Sequence, residues 1–253
     1  AGFSGGPKGL MPGVAGLRTV MSSHGYRNIA DPYATFGITH GNPLWEELLR
    51  IAKLAGPSFL INVALNVQRE ITDIFAGDLE EAHALGCRRV KQSAMQLVEK
   101  PFDIVVSTNS GYPLDQNLYQ GVKGMTAASR IVKEGGLIIL ACECCEGVPA
   151  GSPFEQLLGE AASAEEILGI LAAGGPPRPD QWQAQIQALV QRKAEVLVYS
   201  NLPDDVITAC HLTPCADIGA TVRDRLKRLP VDARVAVLPQ GPLTIPYLAG
   251  PDD

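Results

Sequence analysis

The sequence predicts an α/β protein whose C-terminal part is a three-layer α/β/α domain with a mostly parallel sheet. Short apolar runs of strand length lie at residues 102–108, 137–141, 196–199 and 235–238, and predicted helices separate the first three of them. Strands that alternate with helices form parallel sheets. Because these runs are apolar throughout, helices are expected to cover both faces of the sheet.

The N-terminal part is predicted to begin with irregular chain. Residues 1–41 are rich in glycine and proline, with one short helix expected near residues 17–22. Asn42 stands directly before a proline, an arrangement that is typical of a helix start. Residues 59–66 are predicted to be a strand, and Asp78 is predicted to cap the next helix.

The helical pattern of the preceding residues ends at residues 100–101, where Lys-Pro precedes the first apolar run of the sheet. We therefore predict one domain over residues 1–95 and a second over residues 96–230. The helices predicted for the second domain are 117–133, 154–171 (interrupted near Ser163) and 179–193.

Composition narrows the class of protein. The chain has 253 residues, enough for two lobes, and its 46% hydrophobic and 19% charged residues are typical of a soluble protein. A net charge of −6 argues against nucleic-acid binding. No apolar run reaches the roughly 18 residues of a membrane span. Six cysteines are too few for a disulfide scaffold, so a cytoplasmic location is predicted.

A glycine-rich stretch near the start of the chain carries Lys8. It reads Gly-Phe-Ser-Gly-Gly-Pro-Lys over residues 2–8, and His24 follows. Glycines let the backbone approach a bulky group, lysine offers a charge or a covalent handle, and histidine offers a nitrogen for a metal. The stretch is interpreted as a cofactor seat; an ordinary loop with a solvated lysine is the alternative.

A second group of polar residues follows the first strand of the second domain. Tyr119, Gln120 and Lys123 lie within about one helical turn of each other. Parallel sheets bind ligands beyond the carboxyl ends of their strands, which is where this helix begins. A hydroxyl, an amide and an ammonium suit a small hydroxycarboxylate. An amphipathic helix with its polar side in solvent is the alternative.

These two groups resemble the signatures of one family. Residues 2–8, followed by Pro-Gly-Val-Ala-Gly at 12–16 and then His24, resemble the first signature of the nickel-pincer-nucleotide-dependent 2-hydroxyacid racemases and epimerases, of lactate racemase type. Gly-Tyr-Pro-Leu-Asp at 111–115, with the polar helix after it, resembles the second. The likeness runs from Gly2 to at least Gln187.

The resemblance implies a role for each matched residue. Lys8 would tether the nickel-pincer nucleotide, and His24 would complete the nickel coordination. The residues expected to hold or surround the substrate are Tyr119, Gln120, Lys123 and Trp182. Residues 1–95 would then be the remainder of an N-terminal cofactor lobe, and residues 231–253 a tail that returns toward it.

The resemblance also implies a reaction, the racemisation or epimerisation of a 2-hydroxy acid by hydride transfer. The family's two proton-transfer histidines would lie upstream of this chain, so no catalytic residue is assigned here and the chain alone is expected to be inactive. His40, His83 and His211 do not match those positions and are interpreted as structural or solvated.

A cysteine cluster departs from the family pattern. Cys142, Cys144 and Cys145 follow a predicted buried strand, and Cys210 and Cys215 lie further along the chain. They leave a zinc or iron–sulfur site as one alternative, although the paired spacing that is typical of such sites is missing. A non-catalytic module that binds a sugar acid or a nucleotide is the other alternative.

Overall fold

A computed structural model describes residues 2–56, 59–66 and 68–249. The chain divides into two compact units, residues 1–95 and 96–253. None of the helices in the described ranges combines the length and the apolar character that a membrane crossing requires.

The first unit combines helices with a two-stranded antiparallel sheet. A 3-10 helix at Gly6–Gly9 carries Lys8. The α-helices of the described residues in this unit are α1 (Leu17–Ser23), α2 (Tyr26–Ala30), α3 (Pro43–Leu54) and α4 (Leu79–Ala94). The strands are β1 (Leu60–Leu65) and β2 (Ile71–Gly77).

Both predicted helix starts in this unit are confirmed. The Asn42 side chain accepts hydrogen bonds from the backbone N–H groups of Leu44 and Trp45, and Asp78 accepts from those of Glu80 and Glu81. These bonds satisfy N–H groups that have no partner inside the helix. Strand β2 was not predicted, because its apolar residues do not alternate with polar ones; pairing with β1 supplies its hydrogen bonds.

The second unit is built around a five-stranded sheet. Its α-helices are α5 (Leu118–Ser129), α6 (Pro153–Glu160), α7 (Ala164–Ala172), α8 (Gln181–Lys193), α9 (Asp204–Ala209) and α10 (Ile218–Leu226). Its strands are β3 (Met95–Val98, beginning at the last residue of the first unit), β4 (Phe102–Thr108), β5 (Val132–Ala141), β6 (Glu195–Tyr199), β7 (Thr213–Pro214), β8 (Val235–Leu238) and β9 (Ile245–Leu248). The sheet has the order β7-β6-β5-β4-β8 and is parallel throughout.

Alternate residues of β5 belong to two different cores. Ile138 and Leu140 lie in a large buried cluster with residues of α5, α6, α7 and α8. Leu137 and Ile139 lie in a second cluster, against which α10 packs. Because successive side chains of a strand point to opposite faces, helices cover both faces of the sheet. The predicted three-layer α/β/α domain is confirmed.

Several details of this unit differ from the prediction, in which α9, α10 and the strands β3, β7 and β9 were absent. The helix predicted over residues 117–133 ends at Ser129, and β5 begins at Val132, because Phe102 of β4 pairs with Val132. The expected tail contributes β8 to the edge of the large sheet, while β9 pairs with β3. Its return toward the first unit stays a prediction.

Asp103 anchors the chain before β8 to the sheet, and we expect its loss to be destabilising. Its carboxylate accepts hydrogen bonds from the backbone N–H of Arg234 (2.8 Å) and from Lys133 Nζ (2.6 Å). Asp103→Ala is expected to lower the free energy of unfolding by about 1–3 kcal/mol at pH 7, since it leaves both donors without this acceptor. Chemical denaturation measures the difference.

This effect should depend on pH. The hydrogen bond from Arg234, and then the one from Lys133, hold the pKa of Asp103 below its usual range. The stabilisation is therefore full above the unfolded-state pKa of about 4 and is lost as the pH falls through the lower folded-state pKa. Asp224→Ala, which removes an exposed pair with Lys227, is the control and should have a much smaller effect on stability, because solvent screens the pair. Equal losses would contradict the prediction.

Candidate functional site

The loop that carries Lys8 is held by strand β1 and helix α4. Gly5 and Gly6 have φ angles of 76° and 56°, in the left-handed region that glycine adopts without strain. The N–H of Gly6 donates to Asn62 Oδ1 at 2.8 Å. A Cβ on Gly6 would stand only 2.4 Å from the ring of His83. The backbone at Gly6, two residues before Lys8, therefore packs so closely against His83 that a side chain would not fit there.

The side chain of His83 packs against this loop. Its ring is buried, its Nε2 lies 3.1 Å from the carbonyl oxygen of Ser4, and it stacks on Trp45. His40 is exposed and meets Trp45 edge-on, while in the second unit His211 Nε2 lies 2.8 Å from the carbonyl oxygen of Leu158. Each ring thus has a packing or hydrogen-bonding role.

His24 stands at the C-terminal end of α1. Its Nδ1 lies 2.9 Å from Ser23 Oγ and 3.2 Å from the carbonyl oxygen of Val20. Burial lowers the pKa of His24 to about 4, and the positive charge of Lys8 contributes to the shift. The imidazole is therefore neutral at pH 7, which is the form that binds metals.

Lys8 lies within electrostatic range of two histidines. Its side chain is half-buried, and its positive charge contributes to the lowered pKa values of both His24 and His83. The structure therefore brings Lys8 and His24 into one neighbourhood, as their shared signature implied. It also adds His83, which sequence reasoning missed as part of this neighbourhood because it is 75 residues further along the chain than Lys8.

The start of α5 presents the second group of residues. Asn117 caps the helix by accepting a hydrogen bond from the N–H of Gln120 at 3.1 Å. One turn later the Nζ of Lys123 donates to the Oε1 of Gln120. Lys123 is exposed, yet the surrounding protein lowers the pKa of its ammonium by desolvation. An amide and an ammonium thus share one face of the helix.

Tyr119 is oriented by the start of α8. Its hydroxyl donates to Asp180 Oδ1 at 3.1 Å, and its carbonyl oxygen accepts from Gln183 Nε2 at 2.7 Å. Burial, and then the charge of Asp180, raise the pKa of Tyr119 to about 12, although a hydrogen bond with Trp182 acts in the opposite direction. Tyr119 and Trp182 are therefore neighbours. Sequence reasoning missed Asp180, whose position directly before α8 was the available signal.

A cleft of about 440 Å³ opens at the carboxyl edge of the parallel sheet. It is lined by the ends of β4, β5 and β6 and by the residue that follows β8. Asp115 is buried in its wall; the carboxylate accepts from the N–H of Glu143 through Oδ2 (3.3 Å), and Oδ1 has no hydrogen-bond partner among the described residues. Clefts at this edge are the usual ligand sites of such sheets.

The cysteines do not assemble into a metal site. Across the described ranges, no group of three or more His, Cys, Asp or Glu side chains is arranged to hold a metal ion. Cys142 and Cys144 are buried next to each other, whereas Cys145 is exposed. The zinc or iron–sulfur alternative therefore has no support in the described part of the chain.

The fold and these residues define a two-unit α/β protein with a lysine-bearing glycine loop and a cleft at the edge of a parallel sheet. The sequence matches the lactate racemase C-terminal domain over residues 97–245 and the lactate racemase N-terminal domain over residues 1–37. The chain belongs to the lactate racemase family, which confirms the resemblance seen in its motifs.

Relatives with established names agree. The lactate racemase of Lactiplantibacillus plantarum is 39% identical over 247 residues, and that of Thermoanaerobacterium thermosaccharolyticum is 35% identical over 244. Each match covers 95% of this chain but 57% of the relative, so the chain spans little more than half of their length.

Solved structures extend the comparison to the fold. The lactate racemase apoprotein from T. thermosaccharolyticum superposes with a TM-score of 0.91 at 35% identity, covering 98% of this chain and 60% of that one. A Thermotoga maritima protein gives a TM-score of 0.71 at 14% identity, covering 98% of this chain and 63% of that one, and shows the fold alone.

Proposed function

We propose that this chain forms the cofactor-tethering loop and the C-terminal domain of a lactate racemase-like enzyme that racemises or epimerises a 2-hydroxy acid. In this proposal the enzyme acts by hydride transfer to a nickel-pincer nucleotide, and the substrate is a small molecule. The observation that carries the proposal is that Lys8 lies within electrostatic range of a half-buried, neutral His24 in a chain of this family.

The residues present fit such a cofactor. A histidine that binds a metal usually uses one ring nitrogen and engages the other with a carbonyl oxygen or a carboxylate. Nδ1 of His24 is engaged with Val20, so a metal at this residue would bind through Nε2. Lys8 supplies a primary amine on a loop whose backbone is held by Asn62, which suits a covalent tether.

Residues of the second unit would bind and orient the substrate. A bound nickel-pincer group would supply a hydride acceptor for C2 of the hydroxy acid. The ammonium of Lys123 can pair with the substrate carboxylate, and the amide of Gln120 keeps that ammonium in place. Tyr119, with a pKa near 12, stays protonated at pH 7 beside Trp182. The groups that move the hydroxyl proton are expected outside this chain.

Mass spectrometry of the full-length protein tests the proposal. The protein would be produced in cells that make the cofactor, and the peptide containing Lys8 is expected to carry a covalent adduct together with bound nickel. Lys8→Arg keeps the charge but cannot form the amide-type link, so it should lose the adduct. Lys53→Arg, at an exposed lysine that pairs with Glu80, is the control and should keep it.

The same experiment separates the two classes of function. If Lys8 carries no adduct and the protein does not racemise any 2-hydroxy acid, the proposal that the protein is a racemase is wrong. That result would favour the non-catalytic module that binds a sugar acid or a nucleotide.

A further inference from the structure

Two of the six cysteines form a close pair that the proposed chemistry does not use. The sulfur atoms of Cys142 and Cys144 lie 3.4 Å apart, both residues are buried, and both are reduced. Cys142 follows the last residue of β5 and lines the cleft at the sheet edge, next to Asp115. The pair therefore lies beside this cleft, with the sulfur of Cys142 turned toward Gly121 of α5.

The backbone permits a bond between these sulfurs. The Cα atoms of residues two apart cannot be separated by more than about 7 Å, and a disulfide requires roughly 4.4–6.8 Å. Cys144 lies in a turn and has a φ angle of 55°. Its backbone N–H donates a hydrogen bond to the carbonyl oxygen of Asp115 at 2.9 Å. The sulfurs need only approach to a bonding distance of about 2.05 Å.

The pair is also chemically distinct from the other buried thiols. The contact between the two sulfur atoms lowers the pKa of Cys144 and raises the pKa of Cys142. The pair therefore holds a thiolate beside a thiol more readily than an isolated buried cysteine does. Burial raises the pKa values of Cys87 and Cys210 to about 11, which keeps them protonated and unreactive at pH 7.

We propose that Cys142 and Cys144 are a modification site that forms a reversible intramolecular disulfide on exposure to a peroxide. The thiolate of the pair attacks one peroxide oxygen, and the O–O bond breaks. A sulfenic acid and a hydroxide ion form. The hydroxide ion takes up the proton that the thiol released when it ionised, and becomes water. The partner sulfur then attacks the sulfenic sulfur, and the S–O bond breaks to release a second water. One peroxide is reduced, two thiols are oxidised, and a dithiol reductant restores them.

The disulfide would alter the segment that precedes α5. The thiol of Cys142 donates a hydrogen bond to the carbonyl oxygen of Asp115 at 3.4 Å. The backbone N–H of Glu146 donates to the carbonyl oxygen of Gln116 at 2.7 Å. Oxidation removes the S–H donor, so amide hydrogen exchange of residues 115–118 is expected to change on oxidation and to recover on reduction.

Peptide mapping after brief treatment with hydrogen peroxide tests the site without reference to activity. The wild-type peptide containing residues 142–145 should lose two hydrogens, with fragmentation placing the link between Cys142 and Cys144. The link should persist in Cys145→Ser, which removes the exposed neighbouring thiol, and should vanish in Cys142→Ser and in Cys144→Ser. Circular dichroism of each variant checks that it is folded.

Several results would overturn the proposal. Irreversible sulfinic or sulfonic acid at either residue, with no link formed, would show that the sulfurs cannot pair. A link that survives in Cys142→Ser or disappears in Cys145→Ser would assign the bond to Cys145. Because the wild-type mapping needs no variant, failure of a variant to fold leaves the test intact.

Discussion

Lys123→Ala in the full-length enzyme is expected to reduce kcat/KM for racemisation of a 2-hydroxy acid by about 100-fold, because a misplaced substrate reacts that much more slowly. Lys123 lies one turn into α5, on the helix that follows β4, and its ammonium contacts Gln120. In the proposed site, removing it would leave the substrate carboxylate without a counter-charge. The side chain is exposed, so the free energy of unfolding should change by less than about 0.5 kcal/mol.

Lys227→Ala is a matched control for this variant. Lys227 is also exposed, follows directly on a helix, and donates to a residue three positions earlier, Asp224. Its loss should leave both the rate and the stability unchanged. The comparison is made between proteins loaded to the same nickel content. Equal rates for the Lys123 variant and the wild type would remove the substrate role of Lys123.

Gly6→Ala is expected to lower the free energy of unfolding of the first unit by about 2–5 kcal/mol. Two effects add: the backbone is in the left-handed region with φ at 56°, and the new methyl group would stand 2.4 Å from the His83 ring. The ring cannot withdraw without losing its contact with Ser4 or its stacking on Trp45. Adduct formation on Lys8 should fall with the stability.

Gly9→Ala provides the control within the same 3-10 helix. A Cβ at Gly9 meets nothing within 4 Å, and Gly9 is exposed, so the change should stay within about 0.5 kcal/mol. Denaturation can be followed through Trp45 in a Trp182→Phe background, since the chain has two tryptophans. A Gly6 variant as stable as the Gly9 variant would show that the loop is not held by His83.

Local sequence signals determined much of the fold. Asn42 and Asp78 mark helix starts because their side-chain oxygens satisfy N–H groups within three residues, a requirement that is independent of the rest of the molecule. The strands β4 and β6 were predictable because buried parallel strands are apolar on both faces. Strand β2 was not, since only its pairing with β1 makes it a strand.

For the candidate site too, some features could be predicted from the sequence and others depend on the tertiary structure. The order and spacing of Lys8, His24, Gln120 and Lys123 are properties of the sequence, and they were sufficient to predict the family. What tertiary structure alone decided are the contacts between distant residues: His83 beneath Gly6, Asp180 on Tyr119, and the cleft around Asp115. The sequence by itself could not show them, because closing a long loop leaves no local pattern and the pairing depends on how whole helices and strands pack.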